Sequence, residues 1–372
     1  MIRRILGILI LAAAAASSAA VTETTESYTK EVLENRFLKL EFLPDSLGRL
    51  DQICVKSSGR KLLLTRSLTK VSVDPLYEFY RNNTFGCGEN FWKNYVAKRD
   101  GKSAVQRPEP QKISFKNNWY GGLAVDVRRT VHLAADESIF TFEAEFFNRD
   151  EKKSFYLAPW YSLFPADAGS STLVIPAAGG KKVHTLGNVK IFKTDCLAKN
   201  PSGLFAAVRN WAATVYSGEK VVLAMIIPKA EFFPDGAFYS WHGKDRGIAY
   251  RTMEGIFNGT TLAPRGKRVT RCYFAVFMGI KGIRDIAGTT AVDVAVGEKN
   301  LILTLAPARK VAAGTGIVKI SCGNGEKIVK IDLPELSPGR SYDFALAFDG
   351  GRITHISGTL PDGSAFDLPD TK

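Results

Sequence analysis

Alternation with a period of two constrains this chain more than any other feature of its 372 residues. Side chains on a strand point to opposite faces in turn, so a half-buried strand reads apolar, polar, apolar. Leu38, Leu40 and Phe42 alternate with Lys39 and Glu41, and Phe140, Phe142, Ala144 and Phe146 with Thr141, Glu143 and Glu145. Val125, Val127, Val131 and Leu133 share one parity across 123–133. Shorter runs predict strands at 53–55, 71–73, 214–216, 221–227, 238–241, 248–254 and 269–278. Pro44-Asp45, Ser58-Gly59, Ser217-Gly218, Pro234-Asp235-Gly236 and Pro264-Arg265-Gly266 punctuate them with turn chemistry. Helical periodicity with caps is scarce, and 283–287 has room for a short turn only. The pattern predicts an all-β fold built as a large antiparallel sandwich.

The pattern shifts near residues 279–296. Beyond it, short strands are expected at 301–305, 317–321, 328–331, 342–348 and 353–358. Leu336-Ser337-Pro338-Gly339-Arg340-Ser341-Tyr342 resembles the turn-then-tyrosine corner of immunoglobulin-like and fibronectin-like sandwiches. The expected organisation is a large β domain over 21–285 and a small immunoglobulin-like sandwich over 290–372.

The first twenty residues read as an address. Arg3 and Arg4 precede an apolar stretch at 5–16 and a small-residue exit at Ser18-Ala19-Ala20. That is the layout of a secretory signal peptide, so a periplasmic or secreted protein is expected. The apolar stretch is too short for a membrane span, and no later stretch is long enough, so no membrane-spanning segment is expected.

Chemistry that needs a cofactor finds no purchase here. Five cysteines, Cys54, Cys87, Cys196, Cys272 and Cys322, are widely spaced with no C-x-x-C pair. Buried free thiols are the expected state, with a single Cys54–Cys87 bridge as the alternative. The four His, His132, His184, His242 and His355, are dispersed, so no metal centre is expected. Neither a nucleophile elbow, a P-loop nor a dinucleotide fingerprint occurs, and no cofactor is expected. Lys and Arg number 50 against 37 Asp and Glu, a net charge of +13. The basic residues are scattered rather than blocked, which argues against a nucleic-acid partner and suits an anionic polysaccharide or a negatively charged cell surface equally.

Three stretches look familiar. The first, running from Leu33 through Phe37, Leu40 and Pro44 to Gly48 and Leu50, resembles the opening hairpin of galactose mutarotase-like proteins. The second, from Met253-Glu254 through Asn258 and Pro264 to Gly266 and the strand at 269–278, is similar to the late part of that fold. Aldose 1-epimerases carry their catalytic-base glutamate there, and Glu254 occupies the matching place. The third, Tyr156 to Phe164, resembles the strand on which epimerases carry a catalytic His; Trp160 stands at that position here. The resemblance implies a large antiparallel supersandwich over roughly 30–280 whose concave sheet holds a saccharide. With Trp160 in place of the acid, it implies stacking on a sugar face at that point rather than ordinary epimerase chemistry.

The candidate site follows from these stretches. Trp241-His242-Gly243-Lys244-Asp245-Arg246-Gly247 joins two expected strands and would bring His242 near Glu254 as an acid–base pair; a solvated hairpin tip is the alternative. Residues 80–92 form the densest polar and aromatic run, with Arg81, Asn83, Glu89 and Asn90 as hydrogen-bonding groups and Trp92 as a stacking surface. An ordered surface loop is the other reading of that run. Glu89 with Glu254 is a candidate glycosidase carboxylate pair. The candidate set is thus Glu254 and His242 for chemistry, and Arg81, Asn83, Glu89, Asn90, Trp92, Trp160, Tyr161 and Trp241 for saccharide contacts. A non-catalytic glycan-binding or structural envelope module is the rival to an epimerase, lyase or glycosidase.

Overall fold

Where apolar residues keep one parity along a strand, stacking two such faces removes both from water, and that is how the chain folds. The computed structural model describes residues 23–25, 29–44, 48–65, 69–71, 87–91, 103–117, 124–179, 184–186, 189–192, 194–200, 203–205, 207–232, 238–245, 248–298, 300–323, 325–348 and 352–369. The segment 1–20, read above as a signal, lies outside them. Nearly all the described regular structure is strand.

A nine-stranded sheet runs in the order Thr194–Lys199, Thr172–Gly179, Trp211–Tyr216, Val221–Ile226, Lys267–Met278, Ile139–Asn148, Val125–Leu133, Lys112–Asn117, Ala104–Glu109. The second sheet has eleven strands. Its middle runs Gly203–Phe205, Phe238–Ser240, Met253–Ile256, Pro159–Leu163, Cys87–Phe91, Arg49–Val55, Leu38–Leu43. Pairing is antiparallel except between Val189–Phe192 and Gly203–Phe205. Inward residues of both sheets, among them Phe42, Leu50, Phe115, Phe142, Phe146, Tyr161, Met253, Phe257 and Phe274, share one apolar core. Each buried aromatic or aliphatic side chain contributes about 1.5–3 kcal/mol there.

The far face of the nine-stranded sheet divides in two. One part carries ion pairs: Arg271 to Glu143 at 2.7 Å, Arg128 to Glu145 at 3.9 Å, and Lys267 to Glu145. The other part is apolar, with Ile139, Trp211, Ala213, Val222, Ala224, Ala275 and Phe277 packed against Ile280, Ile283, Ala291, Ala306 and Ala308. Those covering residues belong to the chain's last part. It forms two four-stranded sheets, Asp285–Ala287 with Thr290–Val296, Asn300–Pro307 and Tyr342–Ala347, and Gly325–Leu333 with Gly314–Cys322, Ile353–Thr359 and Ala365–Pro369. They enclose an apolar core of their own around Leu301, Leu303, Ile320, Leu346 and Ile356. Ser337 N–H donates to the Tyr342 hydroxyl at 2.9 Å.

The stretch that reads as a change of pattern at 279–296 is a packed joint. Trp211 Nε1–H donates to Asp285 Oδ1 at 3.1 Å, and Asp285 Oδ2 accepts Asp367 N–H at 2.9 Å. The short turn expected at 283–287 is instead the strand Asp285–Ala287, because its partner Thr290–Val296 satisfies its backbone. Cys54, Cys272 and Cys322 carry free thiols, which removes the Cys54–Cys87 alternative. Among the described residues no helix is long and apolar enough to cross a membrane.

Candidate functional site

Strand Met253–Ile256 lies near the middle of the eleven-stranded sheet, between Pro159–Leu163 and Phe238–Ser240. Its odd positions face the nine-stranded sheet. Met253 and Phe257 are core residues, and a Cβ at Gly255 would come within 2.6 Å of Ile227 Cδ1 and Met225 Sδ. Glu254 has the other parity. Its row across the sheet runs Gly88, Ser162, Glu254, Tyr239.

Glu254 is buried, a costly place for a carboxylate. Burial pushes its pKa up to about 7, against hydrogen bonds from the Thr252 and Ser162 side chains that pull it down. Thr252 is held for this. Its Oγ1 accepts Trp241 N–H at 2.8 Å, and its own N–H donates to Trp241 O at 2.9 Å. With its lone pair engaged by the amide, the hydroxyl keeps its hydrogen for Glu254. Thr252→Val removes a donor that favours the charged form, so the Glu254 titration should move further up. A carboxyl-carbon NMR titration checks this, and an unchanged or lowered midpoint contradicts the assignment.

Beyond Ser240 the chain leaves the sheet as a two-stranded arm, His242–Asp245 against Ile248–Arg251. Arg251 anchors its root. It is only 2% exposed, its Nη2 donates to Ser171 O at 3.1 Å and to Ser171 Oγ at 2.9 Å, and its Nη1 donates to Asn200 Oδ1. Burial lowers its pKa from the ordinary value. Tyr250 lies across Gly243, where a Cβ would fall 2.3 Å from the ring, and its centroid is 6.0 Å from that of Phe164. Trp241 is 52% exposed at the arm's root. His242 is exposed and paired in register with Arg251.

One expected contact is corrected. Tyr161 is a core residue: it is fully buried, its hydroxyl is 2.9 Å from Thr270 Oγ1, and its ring meets Phe142 and Phe257 edge-on. Parity is the reason, since Leu157, Leu163 and Tyr161 all share the inward alternation. Glu89 pairs in register with Tyr161, one step along from the row of Glu254. Asn90 pairs with Trp160, the row adjoining Glu254 on the same alternation. Arg81, Asn83 and Trp92 lie outside the described residues. Ser162, Thr252 and Arg251 escaped the sequence reading. Parity flags Ser162 as a polar residue on Glu254's face, but nothing local flags the other two. Among the described residues no group of His, Cys, Asp or Glu has the geometry of a metal site.

Glu254 is thus a buried carboxyl held by two hydroxyls, on the alternation turned away from the nine-stranded sheet. No family model and no curated protein matches the sequence. Solved structures do share the fold. An aldose 1-epimerase candidate from Escherichia coli K12 superposes with a TM-score of 0.50 at 12% identity, over 68% of this chain and 100% of its own. A galactose mutarotase-like protein from Lactobacillus casei gives 0.49 at 10% identity, over 67% and 100%. A TPR-domain containing protein from Parabacteroides distasonis gives 0.50 at 12%, over 70% of this chain and 48% of its own. The chain therefore shares the β-sandwich fold of the Escherichia coli aldose 1-epimerase candidate.

Proposed function

We propose that this is an exported carbohydrate-processing protein that holds a saccharide against the outward face of the eleven-stranded sheet, with Glu254 as general base. The observation that carries the reading is the Glu254 carboxyl, buried, bonded by Ser162 and Thr252, with its pKa near 7. A group with that pKa is half ionised at neutral pH, where it accepts and returns a proton with little loss either way. Trp241 supplies a stacking surface and His242 an acid on the neighbouring arm. Arg81, Asn83, Asn90, Trp92 and Trp160 belong to the same reading as ligand contacts carried by the sequence.

An anionic saccharide suits the charge distribution. Residues 285–372 hold nine Lys and Arg against eleven Asp and Glu, so the basic excess lies entirely before them. In this reading 1–20 directs export, 21–285 is the saccharide-handling domain, and 290–372 is an immunoglobulin-like sandwich, which the Tyr342 corner supports.

Glu254→Gln tests the chemistry. Turnover on a panel of neutral and anionic glycans should fall about 100-fold or more while saccharide binding persists. Binding without turnover in the wild type as well would make the protein a glycan-binding module. Neither binding nor turnover would leave an envelope component.

A further inference from the structure

Among the described residues two large aromatic rings stay in solvent: Tyr156 is 64% exposed and Trp241 52%. Both stand by the strands that carry Glu254, at opposite ends. Trp241 exchanges hydrogen bonds with Thr252, two residues before Glu254, whereas Tyr156 pairs in register with Thr261, seven residues after it. Along 157–163 the odd positions Leu157, Tyr161 and Leu163 are buried in the sandwich, so the even ones, Tyr156 included, take the alternation of Ser162 and Glu254. The Tyr156 ring lies on bare backbone, since a Cβ at Gly259 would fall 1.6 Å from its hydroxyl oxygen. Gly259 is thus required for space, and the seated ring leaves its other side open. Lys152 and Lys153, a few residues before Tyr156, are exposed, Arg268 donates to the next residue's carbonyl, Leu157 O, at 3.2 Å, and Lys244, three residues after Trp241, is exposed on the arm.

At the rise of a strand, Tyr156 stands about 20 Å from Ser162 and so from the Glu254 row. One sugar ring cannot touch both. We infer that the ligand is a segment of a saccharide chain several units long, running from Trp241 past Glu254 to a remote subsite on Tyr156. The inference rests on the saccharide reading of the Glu254 site and names its substrate as a polymer rather than a free sugar.

Calorimetric titration of the full chain with the monomer and hexamer of a neutral series, cello-oligosaccharides, and an anionic one, oligogalacturonates, tests it. A hexamer should bind at least about tenfold tighter than its own monomer, as one stacked ring supplies. Tyr156→Ala should abolish that gain without altering monomer affinity, and Tyr156→Phe should keep it. Equal affinity for monomer and hexamer in both series overturns the inference, as does a Tyr156→Ala protein that still prefers the hexamer. Either result leaves the saccharide site standing if Glu254→Gln still abolishes turnover. Failure of every sugar to bind overturns the site reading and the polymer subsite together.

Discussion

Glu254→Gln should lose turnover and gain stability, and the gain should depend on pH. The free carboxyl titrates near 4.5, whereas the folded protein holds it at about 7. Below pH 4.5 folded and unfolded chains both bind the proton. Between 4.5 and 7 only the folded chain keeps it, so stability falls as pH rises across that window. Above 7 neither binds it and the loss stays constant. Between pH 5 and pH 8 the wild type should therefore lose about 2–3 kcal/mol relative to the Gln variant. Urea midpoints of the two proteins at both pH values measure the difference, and parallel pH dependences would contradict the buried-carboxyl account. Wild-type turnover should rise through pH 7 as the base ionises, and the Gln variant should lack that limb.

How much of this was legible depended on whether one face of each strand meets water. Leu38–Leu43 and Ile139–Asn148 read cleanly because Lys39, Glu41, Glu143 and Glu145 alternate against the core. Trp211–Tyr216 and Val221–Ile226 do not alternate, since the core covers one face and the last two sheets cover the other. The same coverage makes the stretch where the pattern shifts a joint around Ile280 and Ile283. Around 156–164 aromatics occupy both parities, so Tyr161 looked as available as Trp160 until pairing with Gly255 and Glu89 assigned it inward. The environment of Glu254 was not legible, because Thr252 is set by Trp241 across the arm, and the arm by Arg251 reaching Ser171 and Asn200, 80 and 51 residues away. The expected strand 248–254 breaks at Thr252, where the arm rejoins the sheet.

Gly48→Ala should cost about 3 kcal/mol, and Gly59→Ala only about 1 kcal/mol. Both glycines sit at positive φ, 68° and 66°, so an alanine at either pays the same backbone penalty. Their surroundings differ. At Gly59 a Cβ meets nothing within 4 Å, whereas at Gly48 it would fall 2.3 Å from Phe115 Cγ and 2.4 Å from Phe115 Cβ. Those atoms are the root of a fully buried ring that packs on Phe42 with centroids 5.2 Å apart, so no rotamer change moves them aside. Relief requires the turn that ends in the Gly48 N–H to Leu43 O bond to shift against the neighbouring sheet. The difference between the two variants therefore isolates the contact from the backbone term, about 1–3 kcal/mol for overpacking. Denaturant unfolding of both variants under one condition measures it. Equal losses would mean that the turn at Gly48 yields freely, and that the hairpin opening the eleven-stranded sheet is not held by Phe115.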